Sequence, residues 1–235
     1  MNRSVAALTV AAACCILTSL AEAQGNPGGI IRVDSPAGAS SGVAIVAGSD
    51  RTEARQAGKF SGISLDAPVQ VSVSIGATPS ISVSGPADVV PLVLTTVHDN
   101  VLDITLKERV ILTKPVKVVI TTPSLLAIDL SGSGSLNASG ISGDSLNLSV
   151  SGSGTVVAAG NVNMVNVAIK GSGGVDVRAV HAKGLNASVQ GSGDLRGYAS
   201  TSAIINVAGS GDVRIRGNPP ARIVNRSGSG DVSFE

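Results

Sequence analysis

The sequence predicts an all-β protein, a parallel β-helix or β-solenoid with coils of about 19 residues. Three observations carry this. Gly-Ser-Gly recurs with its first glycine at Gly132, Gly152, Gly171, Gly191, Gly209 and Gly228, in steps of 20, 19, 20, 18 and 19 residues. The residue four positions after that glycine is always aliphatic: Leu136, Val156, Val175, Leu195, Val213 and Val232. Elsewhere polar and apolar residues alternate, and no window carries the period of an amphipathic helix.

Met1 to Ala23 reads as a secretory signal peptide: Arg3, an apolar run from Val5 to Leu20, then Ala21-Glu22-Ala23 as the small-x-small cleavage pattern. The run is short for a membrane-spanning helix. Both cysteines, Cys14 and Cys15, fall inside it, so the mature chain is expected to hold neither a disulfide nor thiol chemistry. Residues 24–59, rich in Gly, Ala, Ser and Pro, read as a flexible lead-in with one short strand near Val43 to Val46.

Residues 60–123 form an irregular β region. Leu65, Ala67, Val69, Val71, Val73 and Ile75 share one parity, giving a strand with one dry face. Further alternating segments follow, with Asp99-Asn100 as a hairpin turn. These segments are expected to extend the stack through longer turns, with a separate β-sandwich as the competing arrangement.

Residues 124–235 are the regular solenoid. Four positions before the first glycine stand Ile128, Leu148, Val167, Ala187, Ile205 and Val224. Two positions before it stand Leu130, Val150, Ile169, Val189 and Val207, and then Arg226 breaks the series. One coil cannot bury such faces alone, but stacked coils close them into a continuous interior. The glycines supply the corners. Asn147, Asn166 and Asn186 share a register, where stacked amides can bond along the axis. A right-handed winding is expected from the general preference of parallel crossovers.

Phe60-x-Gly62-Ile63, the alternating strands after it, Asp99-Asn100-Val101-Leu102-Asp103-Ile104, and the Gly-Ser-Gly(-Asp) corners resemble the bacterial GIN-domain family over roughly residues 60–235. That family is described as the head domain of proposed autotransporter adhesins and as a domain of unknown function. The resemblance implies an exported bacterial protein with a β-helical fold and supplies no catalytic residue. The chain is expected to differ from a full autotransporter, since nothing after the repeats has room for a membrane barrel.

Composition narrows the chemistry. With 17 Lys+Arg against 16 Asp+Glu, and only three Phe, Tyr and Trp residues together, nucleic acid is excluded as a partner. The only imidazoles are His98, before the Asp99-Asn100 turn, and His181, read as lying in a loop over 180–184. Six copies of a Ser between glycines mark corners, not a nucleophile. No cofactor and no metal are expected. Asp194, Asp212 and Asp231 share a register that calcium could use, but each is expected to cap its own turn.

The candidate ligand-binding residues form a mixed-charge strip. Asp176, Arg196 and Arg214 stand five positions after the first glycine, and Arg178, Tyr198 and Arg216 stand seven after it. A solvated face of mutually paired charges is the alternative. The expected function is a non-enzymatic envelope or surface module for adhesion, recognition or scaffolding, exported to the periplasm, the outer surface or the medium. Its expected partner is a glycan, a peptide or an envelope surface, with no integral membrane span after signal cleavage. A carbohydrate-active β-helix enzyme and a self-associating structural protein are the two alternatives.

Overall fold

Each coil of the chain runs up one wall, bends, and returns along a second wall to a glycine corner. The computed structural model describes residues 30–32, 43–45, 49–56, 58–108, 110–112 and 114–235. The expected signal peptide, 1–23, lies outside them. The strands in chain order are β1 (Ile30–Arg32), β2 (Val43–Ile45), β3 (Asp50–Arg55), β4 (Gly62–Asp66), β5 (Gln70–Ile75), β6 (Ser80–Pro86), β7 (Val93–His98) and β8 (Val101–Leu106). Next come β9 (Val110–Ile111), β10 (Lys117–Thr122), β11 (Ala127–Gly132), β12 (Ser135–Gly152), β13 (Thr155–Gly171) and β14 (Gly174–Gly191). Last are β15 (Asp194–Tyr198), β16 (Ser202–Gly209), β17 (Val213–Arg216), β18 (Ala221–Ser227) and β19 (Val232–Phe234). One 3-10 turn spans Val90–Leu92. The fold is a β-solenoid of about five turns.

The first wall holds the strands that leave a corner. From β10 it passes through β5 and the leading halves of β12, β13 and β14 to β15, β17 and β19, all parallel. The second wall holds the strands that enter a corner: β8, β4, β11, the trailing halves of β12, β13 and β14, then β16 and β18, also parallel. Between the walls, β12, β13 and β14 bend, the register shifts between Ala138 and Ile141 and between Val157 and Ala159, and pairing then resumes, so a short third side is made of strand too.

The aliphatic columns read from the sequence are columns in space. Leu136 pairs with Val156, Val156 with Val175, Val175 with Leu195, and Leu195 with Val213, every one of them buried. The second wall matches it with Leu130, Val150, Ile169, Val189 and Val207. Burying one such side chain stabilises the coil by about 1.5–3 kcal/mol, and the parallel ladder places the next coil's residue against it.

The corner tolerates only glycine for two reasons, both visible at Gly171. Its φ is +113°, and a Cβ there would lie 2.7 Å from the Gly152 carbonyl oxygen of the coil before. That carbonyl accepts the Ser172 N–H at 2.9 Å. A side chain would therefore strain the backbone and break the contact between coils.

The first coil, β4 and β5, is not at the end of the stack. The chain leaves β5, climbs through β6, β7 and β8, and comes back down as β10 on top of β5. It then passes the first coil and continues below as β11 under β4. The one buried polar residue described, Thr122, sits at this passage and donates its hydroxyl toward the Phe60 and Ser124 carbonyls at 3.0 and 3.1 Å.

Parallel pairing stops above β8 and β10. Strand β6 is antiparallel to β10, β7 to β8, and β3 to β6. The 3-10 turn covers the interior at this end with the buried Val89, Val90 and Val93. Arg55 ties it down, donating to the carbonyls of Val93 and Val90 at 3.2 and 3.0 Å while pairing with Glu53 at 2.8 Å. The lead-in expected over 24–59 is thus interrupted by β3. Its residues Asp-Arg-Thr-Glu-Ala-Arg show no apolar alternation, because an edge strand is held by backbone bonds and guarded by charge.

The opposite end is closed by arginine. Arg226 continues the column of Val207, and Arg222 continues that of Ala203. The Arg222 guanidinium lies 4.3 Å from the Phe234 ring centroid and donates to the Pro219 carbonyl at 2.8 Å. Arg226 reaches the Gly230 carbonyl at 3.2 Å and Asp231 at 3.6 Å. Their stems cover the last aliphatic layer while their heads stay wet. Charge at inward positions of an edge strand also opposes further strand addition.

Gly171→Ala is expected to lower stability by more than about 1 kcal/mol in chemical denaturation. Gly174→Ala, where the nearest atom to a new Cβ is 4.0 Å away, is expected to change little. A double variant, Arg222→Leu with Arg226→Leu, is expected to associate end to end, seen as a rise in mass by light scattering over the parent chain.

Candidate functional site

The strip read from the sequence is assembled on the outer side of the first wall. Asp176 pairs across the ladder with Arg196, Arg196 with Arg214, and Tyr198 with Arg216. Most of these charges are engaged within the chain. Arg178 binds Asp176 through Nη2 at 2.6 Å and Nε at 3.0 Å, Arg214 binds Asp212 at 3.2 Å, and Arg216 binds Glu235 at 3.3 Å. The Arg178 guanidinium holds the Asp176 carboxyl below the ordinary aspartate range, against an opposing push from partial burial, with Arg196 adding a smaller pull. The surface beside Asp176 and Arg196 is a depression of only about 210 Å³.

Two of the three aspartates after the corners, Asp194 and Asp212, accept backbone N–H groups, but not those of their own turns, and Asp231 instead lies 3.6 Å from Arg226. Asp194 Oδ1 accepts the Asp212 N–H at 3.1 Å, and Asp212 Oδ1 accepts the Asp231 N–H at 3.1 Å. Each carboxylate clips the coil that follows. No cluster of three or more metal-ligating side chains occurs among the described residues.

A concavity of about 870 Å³ forms a trough on the outer side of the second wall, away from the strip. It crosses β8, β4, β11, β12, β13 and β14, which at ~4.8 Å per step is roughly 24 Å. One bank is the amide column of Asn147, Asn166 and Asn186, with Asn166 Nδ2 donating to Asn147 Oδ1 at 2.9 Å. The other bank runs through Asp103, Ser64, Asp129, Ser149, Ala168 and Ser188. At the upper end the β7–β8 hairpin rises over it, placing His98 and Asp99 on the rim. Its turn is the two-residue kind that needs left-handed backbone, with φ +49° at Asp99 and +65° at Asn100. No Lys or Arg lines the trough. The trough can offer amides, hydroxyls and two carboxylates in a row to an extended polar chain.

The amide column was readable from the shared register of the three asparagines. Asp103 and Asp129 were not, because the rung holding Ser64 comes between them in space but far earlier in sequence. His181 also departs from the reading of 180–184 as a loop. It lies within β14, opposite Asn161, because Val180 and Ala182 turn inward and keep the segment in the ladder.

Fold and surface together define a capped β-solenoid that presents one long trough edged by amides and hydroxyls. The family model described as "Putative auto-transporter adhesin, head GIN domain" matches residues 59–219, and the chain belongs to that family. Among solved structures, a "putative adhesin" from Bacteroides fragilis superposes with a TM-score of 0.67 at 22% identity, covering 80% of this chain and 97% of that one. A "putative adhesin" from Parabacteroides distasonis gives 0.48 at 18%, covering 80% and 98%. A "putative lipid binding protein" from the same species gives 0.47 at 17%, covering 79% and 96%. The Bacteroides likeness shows the fold. No curated protein matches the chain. No helix among the described residues is long and apolar enough to cross a membrane.

The Asp176 shift sets a pH dependence. A lowered folded-state value means stability that is present above the ordinary aspartate value of 3.8 and lost as pH falls through the lowered one. Asp176→Asn is expected to reduce the melting temperature slightly at neutral pH, as suits so exposed a pair, and to match the parent in strong acid. Thermal melts at the two pH values check this.

Proposed function

We propose that the chain is an exported, non-enzymatic recognition module of the bacterial envelope or surface, which holds an extended neutral glycan along the trough of the second wall. The observation that carries this reading is the trough itself: six strands long, open, without cations, and banked by amides and hydroxyls that repeat with each coil. A repeating ligand meets a repeating surface there, so small contacts add along its length. Rigidity limits the ordering cost on the protein side. Family membership supports an adhesive role.

The reading of the chain as a hydrolase draws on one feature, the Asp103 and Asp129 carboxylates aligned through Ser64. Two steps of the ladder separate their Cα atoms by roughly 10 Å, and carboxyls at that spacing are nearer to an inverting pair than to a double-displacement one.

The test is calorimetric titration with a panel of neutral hexasaccharides. At least one is expected to bind, to weaken about tenfold with Asn166→Leu, as for one lost hydrogen bond, and to be recovered intact. No binding across the panel, or binding indifferent to Asn166→Leu, overturns the reading. Recovery of cleaved sugar supports the hydrolase.

A further inference from the structure

A second concavity lies on the short third side, distinct from the trough. It measures about 320 Å³. Its floor is strand backbone at Val162 and Ala182, whose side chains are buried in the interior, and Gly143 adds no side chain. On one side stand the rings of Tyr198 and His181, edge to face at 5.2 Å and 77°. Tyr198 is the only tyrosine in the chain. Its ring passes close to Gly217, where a Cβ would lie 2.9 Å from its Cε2.

The polar groups around this floor are uncommitted in a specific way. Asn163 donates to Asp144 at 2.9 Å through its amide nitrogen, which leaves its carbonyl oxygen free to accept. Asn161 stands opposite His181 in the ladder. Lys183 is exposed and makes no ion pair among the described residues, unlike Arg178, Arg214 and Arg216 nearby. The pocket therefore combines a backbone floor, an aromatic ring, two amides and one cation without an ion pair among the described residues.

We propose that this pocket binds a single carboxylate-bearing pyranose, a uronate-type sugar. The C–H face of the sugar would lie against the Tyr198 ring. The amides of Asn161 and Asn163 meet its hydroxyls, and Lys183 meets its carboxylate. One cation matches one charge, and the volume suits one ring, not a chain. The site does not depend on the trough and stands if the trough binds nothing.

Nuclear magnetic resonance titration of the whole chain with methyl glucuronoside and methyl glucoside tests it. The glucuronoside is expected to shift the His181 and Tyr198 ring signals and to bind about tenfold more tightly than the glucoside, the worth of one charge-assisted contact. Lys183→Met should erase that difference without changing the melting temperature, Lys183→Arg should keep most of it, and Asn166→Leu in the trough should leave it untouched. Equal binding of the two glycosides, absence of binding by both, or a preference that survives Lys183→Met overturns the assignment.

Discussion

Everything in this molecule depends on the close approach of successive corners. A corner carbonyl must accept the N–H of the coil below while its glycine stays in left-handed backbone, and only then do the wall strands fall into register. Register in turn decides which residues are inside. A slip of one residue would send Val156 and Ile169 outward together with their neighbours in every linked coil. The aliphatic interior supplies most of the driving force, but the corners decide that it closes in a single way.

The solenoid and its interior were legible because repetition multiplies weak signals. One Leu four residues after a glycine means nothing, whereas Leu136, Val156, Val175, Leu195 and Val213 together define a column. Arg226 showed as a break in its series, and its register explains it: it belongs to the last layer, where an inward position already faces water. The antiparallel cap was harder to read. Alternation is the same in parallel and antiparallel strands, so nothing in Ser80–Pro86 or Val93–His98 announced their direction.

The candidate surfaces divide in the same way. The charged strip was readable as a register of Asp176, Arg196 and Arg214, but two of the three ion pairs that occupy it run along a strand and only one runs across. The trough draws its residues from segments whose spatial order differs from their chain order, and sequence spacing does not record concavity. The pocket beside Tyr198 depends on a bend in β14 that keeps its hydrogen bonds, which local composition had marked as a loop.

The insertion of β4 and β5 between later strands constrains assembly. That coil offers two bare rims, one to be filled by the segment ending at Thr122 and the other by Ala127 onward. A chain emerging N-terminus first can seal the upper rim before any repeat has been made, and the Thr122 latch closes as that segment returns. What remains is a template with a single growing edge, on which each new coil can be laid in turn. The slow, non-local step is thus confined to the first third of the winding, and the rest adds by nearest-neighbour contact.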